Sequence, residues 1–202
     1  MIPWSRIFAA LLAVTAFSGI AIRVYLHQET GKTALDAFSW LYQFFTIWSN
    51  TLVMLAMTGV ATNKFDDRLT NFMATVAIMG VGIIFHLLLS SPPNQQGLDL
   101  LANLITHTFV PLLSLAWWLA FQTKSHFNWG YSFAGMLFPA VYCLYALLRA
   151  EYSGFYPYPF IDLSALGALG LIKSILSISV AFFTLGLILI ASSKVRQRVS
   201  AN

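Results

Sequence analysis

Two side chains in this chain of 202 residues have the types and surroundings of a nucleophile and its base. Thr46 lies in the run Tyr42–Asn50, YQFFTIWSN, and His107 lies in Leu98–Phe121, LDLLANLITHTFVPLLSLAWWLAF. A threonine hydroxyl attacks poorly until a base removes its proton, and imidazole is the side chain suited to that near neutral pH. The chemistry open to such a pair is acyl transfer, in which amide donors such as Gln43, Asn50 or Asn103 would hold the oxyanion. Asn103 and His107 are four apart and share a helix face, while Gln43, Thr46, Ser49 and Asn50 recur at spacings of three and four. The bland account of such stripes is hydrogen bonding between helices, with threonine often bonded to its own backbone. Spacing leaves both accounts open.

The elements that must position these residues are membrane helices. With 58% hydrophobic and 9% charged residues the chain falls outside the composition of soluble globular domains. Six segments are long enough to cross a hydrocarbon core of ~30 Å, at about 4–26, 36–60, 71–90, 98–122, 131–149 and 163–192. The expected fold is an all-α integral membrane protein, a bundle of six transmembrane helices forming a single domain over 1–202. The first apolar run is longer than a signal-peptide core, and Arg23 and Tyr25 stand where a small-residue cleavage site would be. Cys143 is the one cysteine, so no disulfide and no cysteine-based metal site can form within the chain.

Cationic flanks are retained in the cytoplasm. Arg6, Lys64, Arg68, Lys124, Lys194, Arg196 and Arg198 fall on one side and Arg23, Lys32 and Arg149 on the other, which predicts cytoplasmic termini. The net charge of +4 is then a topology signal, with no basic run that would suit nucleic acid. The second and fourth segments both run inward from the opposite surface. Thr46 is ten residues from Asp36 and His107 nine from Leu98, so each sits at a depth of ~14 Å and the two can meet. His86 near the end of the third segment, Arg149 and Glu151 closing the fifth, and Lys173 in the sixth occupy the same half. Together they predict a polar pocket opening toward the outer leaflet. Trp4, Trp40, Trp117, Trp118 and Trp129 stand at segment ends, as interfacial belts do.

The runs QFFTIWSN (43–50), NLITHTFVP (103–111) and GFYPYPFID (154–162) resemble bacterial six-pass membrane proteins related to the androgen-induced-protein family. Members of that eukaryotic family are membrane hydrolases that cleave fatty acid esters of hydroxy fatty acids with a catalytic threonine and histidine. The resemblance implies Thr46 as nucleophile, His107 as base, a lipid ester as substrate, no cofactor and a multi-pass location in the bacterial inner membrane.

The remaining polar residues have competing readings. His86 could be a second base or an oxyanion donor. His86 and His107 make a poor zinc set, which usually needs three protein ligands, so no metal is expected. Lys173 could snorkel to Glu151 or Asp162, or bind a fatty carboxylate. Arg149 could meet a lipid carboxylate or headgroup, or pair with Glu151 or Asp162. The loop Tyr152–Phe160, where Pro157 and Pro159 are expected to end the fifth helix, could cover the pocket mouth or anchor the interface. His27 and His126 are assigned no role. A transporter would show polar residues running through to the cytoplasmic face or broken helices at repeated positions, and neither is clear. A lipid-binding membrane protein could use the same pocket without a nucleophile.

Overall fold

The run that reads as one helix over 36–60 folds as two. The computed structural model describes residues 3–89, 94–122 and 127–201, with the side chains of 199–201 outside the described set, as are Lys124 and His126. Helix α1 is Trp4–Gln28. A short α2, Ala34–Leu41, follows, started by a reciprocal cap between Thr33 and Asp36. The chain then leaves helical geometry at Tyr42–Phe44 and re-enters it as α3, Phe45–Thr62, with Phe44 extended at φ −101° and ψ 132°.

Freed backbone groups among apolar helices need partners inside the protein. Three side chains provide them. Gln43 Nε2 donates to the Trp40 carbonyl at 3.1 Å, Trp48 Nε1 to the Tyr42 carbonyl at 2.9 Å, and Tyr142 OH to the Gln43 carbonyl at 2.6 Å. Thr46 thereby becomes the second residue of a helix, where backbone N–H groups have no carbonyl one turn back.

Helix α4, Arg68–Ile84, continues into a wider π-type turn at Phe85–Leu89. The next span starts as α5, Gly97–Leu104, widens into a π-type segment at Ile105–Phe109, and resumes as α6, Val110–Phe121. Pro111 gives a reason for the second widening. It has no N–H, so neither the α bond to His107 nor the π bond to Thr106 can form from it. The Val110 N–H reaches back five residues to Ile105 instead, leaving the Thr106 carbonyl open.

Helix α7, Tyr131–Ser153, ends on Gly154 in the left-handed region at φ 67°, ahead of the two prolines expected to stop it. A single 3-10 turn at Pro159–Ile161 leads to α8, Leu163–Ala201, which has a non-helical joint at Gly167. The described residues are all-helical, with six helices long and apolar enough to span a membrane.

Close approach between helices is set by small residues. A Cβ on Gly19 would lie 2.7 Å and 2.8 Å from methyls of Ile105 and Thr106, so α1 presses directly on the π-type segment. A Cβ on Gly82 would stand 3.0 Å from Pro111, which brings α4 against the same stretch. Phe72, Val76, Ile78, Trp118 and Ile190 fill the core where α4, α6, α7 and α8 meet.

Long-range bonds define the two ends of the bundle. Arg6 Nε donates to the Ala61 carbonyl, Trp117 Nε1 to the Ser5 carbonyl and Arg196 to the Leu119 carbonyl, gathering the start of α1 with the ends of α3, α6 and α8. At the other end Arg23 pairs with Asp99, and Arg149 reaches the Ser39 carbonyl. Trp117 and Trp118 do not form an interfacial belt. They are buried in the core, with Trp118 Nε1 on Ser192 Oγ, while Trp4, Trp40 and Trp129 are exposed.

Asp67 caps α4, accepting from the Thr70 N–H and hydroxyl at 2.8 Å each. The Thr70 amide and hydroxyl hold its carboxyl below the ordinary carboxylate range. A lowered native value means the cap contributes above the unfolded pKa and is lost as pH falls through the native one. Asp67→Ala should therefore cost about 1 kcal/mol at pH 7, less in strong acid, read as a melting shift in micelles.

Candidate functional site

Thr46 Oγ1 lies 3.2 Å from His107 Nε2. The broken second span and the widened fourth span deliver the two atoms to each other at the end of the bundle marked by Arg23 and Asp99. Both side chains are half-buried.

The proton positions follow from the partners. His107 Nδ1 is 3.1 Å from the Asn103 carbonyl and 3.1 Å from Thr106 Oγ1. The Thr106 hydroxyl gives its own proton to the Ala102 carbonyl at 2.8 Å, so it faces Nδ1 as an acceptor. An imidazole nitrogen facing two acceptors carries the hydrogen, which leaves Nε2 with a lone pair. Thr46 therefore donates to His107, the direction a base needs. The Phe85 ring stacks on the imidazole at 3.9 Å between centroids and 20° between planes, fixing its orientation.

Asn50 is wholly buried and joins the two spans. Its Nδ2 donates to the Thr46 carbonyl at 2.8 Å and to the Thr106 carbonyl at 3.2 Å, the latter being the group that Pro111 leaves open. Both amide hydrogens are thus used on backbone, so Asn50 holds the site together and is not placed to hold an oxyanion. Asn50→Leu strands the buried Thr106 carbonyl, and we expect it to lower stability by about 2 kcal/mol, read by thermal unfolding.

The other polar residues singled out by spacing are also committed elsewhere. Gln43 serves the Trp40 carbonyl, and Asn103 Nδ2 donates to Gln95 Oε1 at 2.6 Å. His86 is exposed, with Nε2 3.0 Å from Thr108 Oγ1. Arg149 donates to the Ser39 carbonyl, Ser39 Oγ and Tyr145 OH, with no carboxylate partner among the described residues. Asp162 instead caps the start of α8 through Ser164 and Ala165. Lys173 is on the exposed face of α8, whereas Ile175, Ile178, Ser179 and Phe182 supply that helix's share of the cavity.

The cavity beside Thr46 is apolar, not the polar pocket expected. It has a volume of about 290 Å³ between α4, α7, α8 and the 3-10 turn, and Phe85, Met136, Cys143, Ile178 and Phe182 are among its walls. Gln43, Asn50 and Asn103 spend their amide donors on other groups of the protein, and aliphatic and aromatic surface faces the space.

One site residue was missed by spacing. Tyr158, from the loop before the 3-10 turn, is only 8% exposed and lines the cavity with Thr46. The polar groups acting on its hydroxyl are the Thr46 side chain, the backbone N–H groups of Phe45 and Thr46, and the Tyr142 hydroxyl. The available signal was a tyrosine between two prolines within an aromatic run.

These features define an all-helical chain with six membrane-length apolar helices and a half-buried threonine–histidine pair beside an apolar cavity. The chain matches no family model, no curated protein and no solved structure.

Proposed function

We propose that the chain is a membrane-embedded hydrolase of fatty acyl esters, with Thr46 as nucleophile and His107 as general base. The observation that carries this reading is the Thr46 Oγ1 to His107 Nε2 contact, with Nδ1 held on the Asn103 carbonyl. A nucleophile, a base and a group that orients the base are the parts nucleophilic acyl transfer requires.

In the proposed reaction His107 Nε2 takes the Thr46 proton as Oγ1 bonds to the ester carbonyl carbon. The tetrahedral intermediate collapses with cleavage of the bond to the alcohol oxygen, and the alcohol leaves with the proton from His107. Water, deprotonated by the same imidazole, attacks the acyl-threonine, and the fatty acid departs as Thr46 recovers its proton. No cofactor or metal enters these steps. The apolar cavity at Thr46 suits a fatty acyl chain, each buried methylene contributing ~0.8 kcal/mol.

The gathering of Arg6, Lys64, Arg68, Lys194, Arg196 and Arg198 toward one end favours cytoplasmic termini in a bacterial inner membrane, with the site in the outer half. The same cavity would serve a lipid-binding protein without turnover. Mass spectrometry of the purified protein after brief exposure to a slowly cleaved long-chain ester separates the two. An acyl group on the peptide containing Thr46, with free acid released, is expected; a bound ester that stays intact would favour the binder. Filling the cavity by Ser179→Phe should lower kcat/KM for sixteen-carbon esters by ~100-fold and spare short ones, since about four methylenes lose their contacts.

A further inference from the structure

The partners of His107 fix the direction of the Thr46 proton. Nδ1 of His107 gives its proton to the Asn103 carbonyl, so Nε2 accepts and the only hydroxyl proton of Thr46 goes to it. The Thr46 oxygen is then left to accept, and the Tyr158 hydroxyl acts on it from the cavity wall the two share. The N–H groups of Phe45 and Thr46, which the helix break leaves without carbonyl partners, also act on the Tyr158 hydroxyl, as does Tyr142, whose own proton goes to the Gln43 carbonyl.

Resting on the threonine hydrolase reading, we propose that Tyr158 is a catalytic residue, whose phenolic hydroxyl donates to the Thr46 oxygen at rest and to the carbonyl oxyanion once the acyl bond has formed. The switch follows from chemistry at Oγ1. When that oxygen becomes an ester oxygen it is a poor acceptor, while the adjoining carbonyl oxygen gains a full negative charge. Tyr158 stands on the cavity wall that Thr46 shares, so an acyl group bonded to Oγ1 lies beside its hydroxyl. The amides of Gln43, Asn50 and Asn103 are already bonded elsewhere, which leaves Tyr158 as the side-chain donor at this position.

The ring is held for the task. It stacks on Phe160 at 5.0 Å with 5° between planes and meets Phe44 and Tyr142 edge-on. Burial raises the phenol's pKa, so the hydroxyl keeps its proton at neutral pH.

The test compares wild type with Tyr158→Phe in nanodiscs, using a long-chain p-nitrophenyl ester, a long-chain trifluoromethyl ketone that forms a hemiketal oxyanion on Thr46, and the corresponding fatty acid. Loss of one oxyanion donor predicts a fall in kcat of ~100-fold or more and a comparable loss of ketone affinity, with KM and fatty acid binding within about threefold. A kcat within twofold of wild type overturns the proposal while leaving the hydrolase reading intact. Parallel losses of ketone and fatty acid affinity would also overturn it, as the role would then be packing. Absence of both turnover and ketone adduct in the wild type sinks the hydrolase reading and this proposal with it. Should Tyr158→Phe not fold, 3-fluorotyrosine in place of Tyr158 reports directly. Its fluorine resonance should shift on ketone addition but not with fatty acid, and an unchanged resonance overturns the proposal.

Discussion

Thr46→Ala should abolish ester hydrolysis, by roughly 10⁴-fold or more, while the protein still folds and still binds fatty acid. The size follows from what is removed. Without Oγ1 no acyl bond to the enzyme can form, and only direct attack by water within the cavity remains. The fold should be spared because, among the described residues, the Thr46 hydroxyl bonds to His107 alone. Its backbone carbonyl, which Asn50 holds, is unchanged by the substitution. Thr46→Ser keeps the nucleophile and should retain activity within about tenfold, the missing methyl group loosening the χ1 angle of the hydroxyl. A kcat for Thr46→Ala equal to wild type would place the nucleophile elsewhere. A binder that does not turn over would show no activity in either protein and the same fatty acid affinity in both.

The six apolar spans and the level along them at which Thr46 meets His107 were legible in the sequence, because length, hydrophobicity and a rise of ~1.5 Å per residue decide them locally. The break at Tyr42–Phe44 was not. That stretch has no glycine or proline, and its exposed carbonyls are satisfied by Trp48 and by Tyr142 from a helix far along the chain. Pro111 was visible, but the widening before it depends on Asn50 reaching the Thr106 carbonyl from another span. The same long-range commitments misled the reading of donors. Asn50, Asn103 and Gln43 look free on a helical face, and each is used on another group of the protein. Trp117 and Trp118 look interfacial by position, yet their N–H groups find Ser5 and Ser192 and their rings fill the core. Arg149 was expected on a carboxylate, but the ion pair formed nearby is Arg23 with Asp99, which joins α1 to α5.

Removal of the base should be nearly as damaging as removal of the nucleophile, and the two losses should not add. His107→Ala is expected to lower kcat by roughly 10³-fold to 10⁴-fold, since Thr46 then has no acceptor for its proton in the resting site. Groups acting as one unit give a double variant no worse than the poorer single one, so Thr46→Ala with His107→Ala should match Thr46→Ala alone. The surroundings of His107 allow a sharper check. Its ring is stacked under Phe85 and its Nδ1 is held by the Asn103 carbonyl, so truncation leaves an imidazole-shaped slot with an acceptor already in place. Free imidazole in millimolar amounts should therefore restore part of the activity of His107→Ala, with saturation, and none to Thr46→Ala. Phe85→Ala, which keeps the imidazole but removes its stacking partner, should reduce kcat about tenfold by letting the ring turn from Thr46, without creating any response to added imidazole. Rescue of Thr46→Ala by imidazole would instead mean that the added base activates water directly and that acyl transfer to the threonine is not on the path.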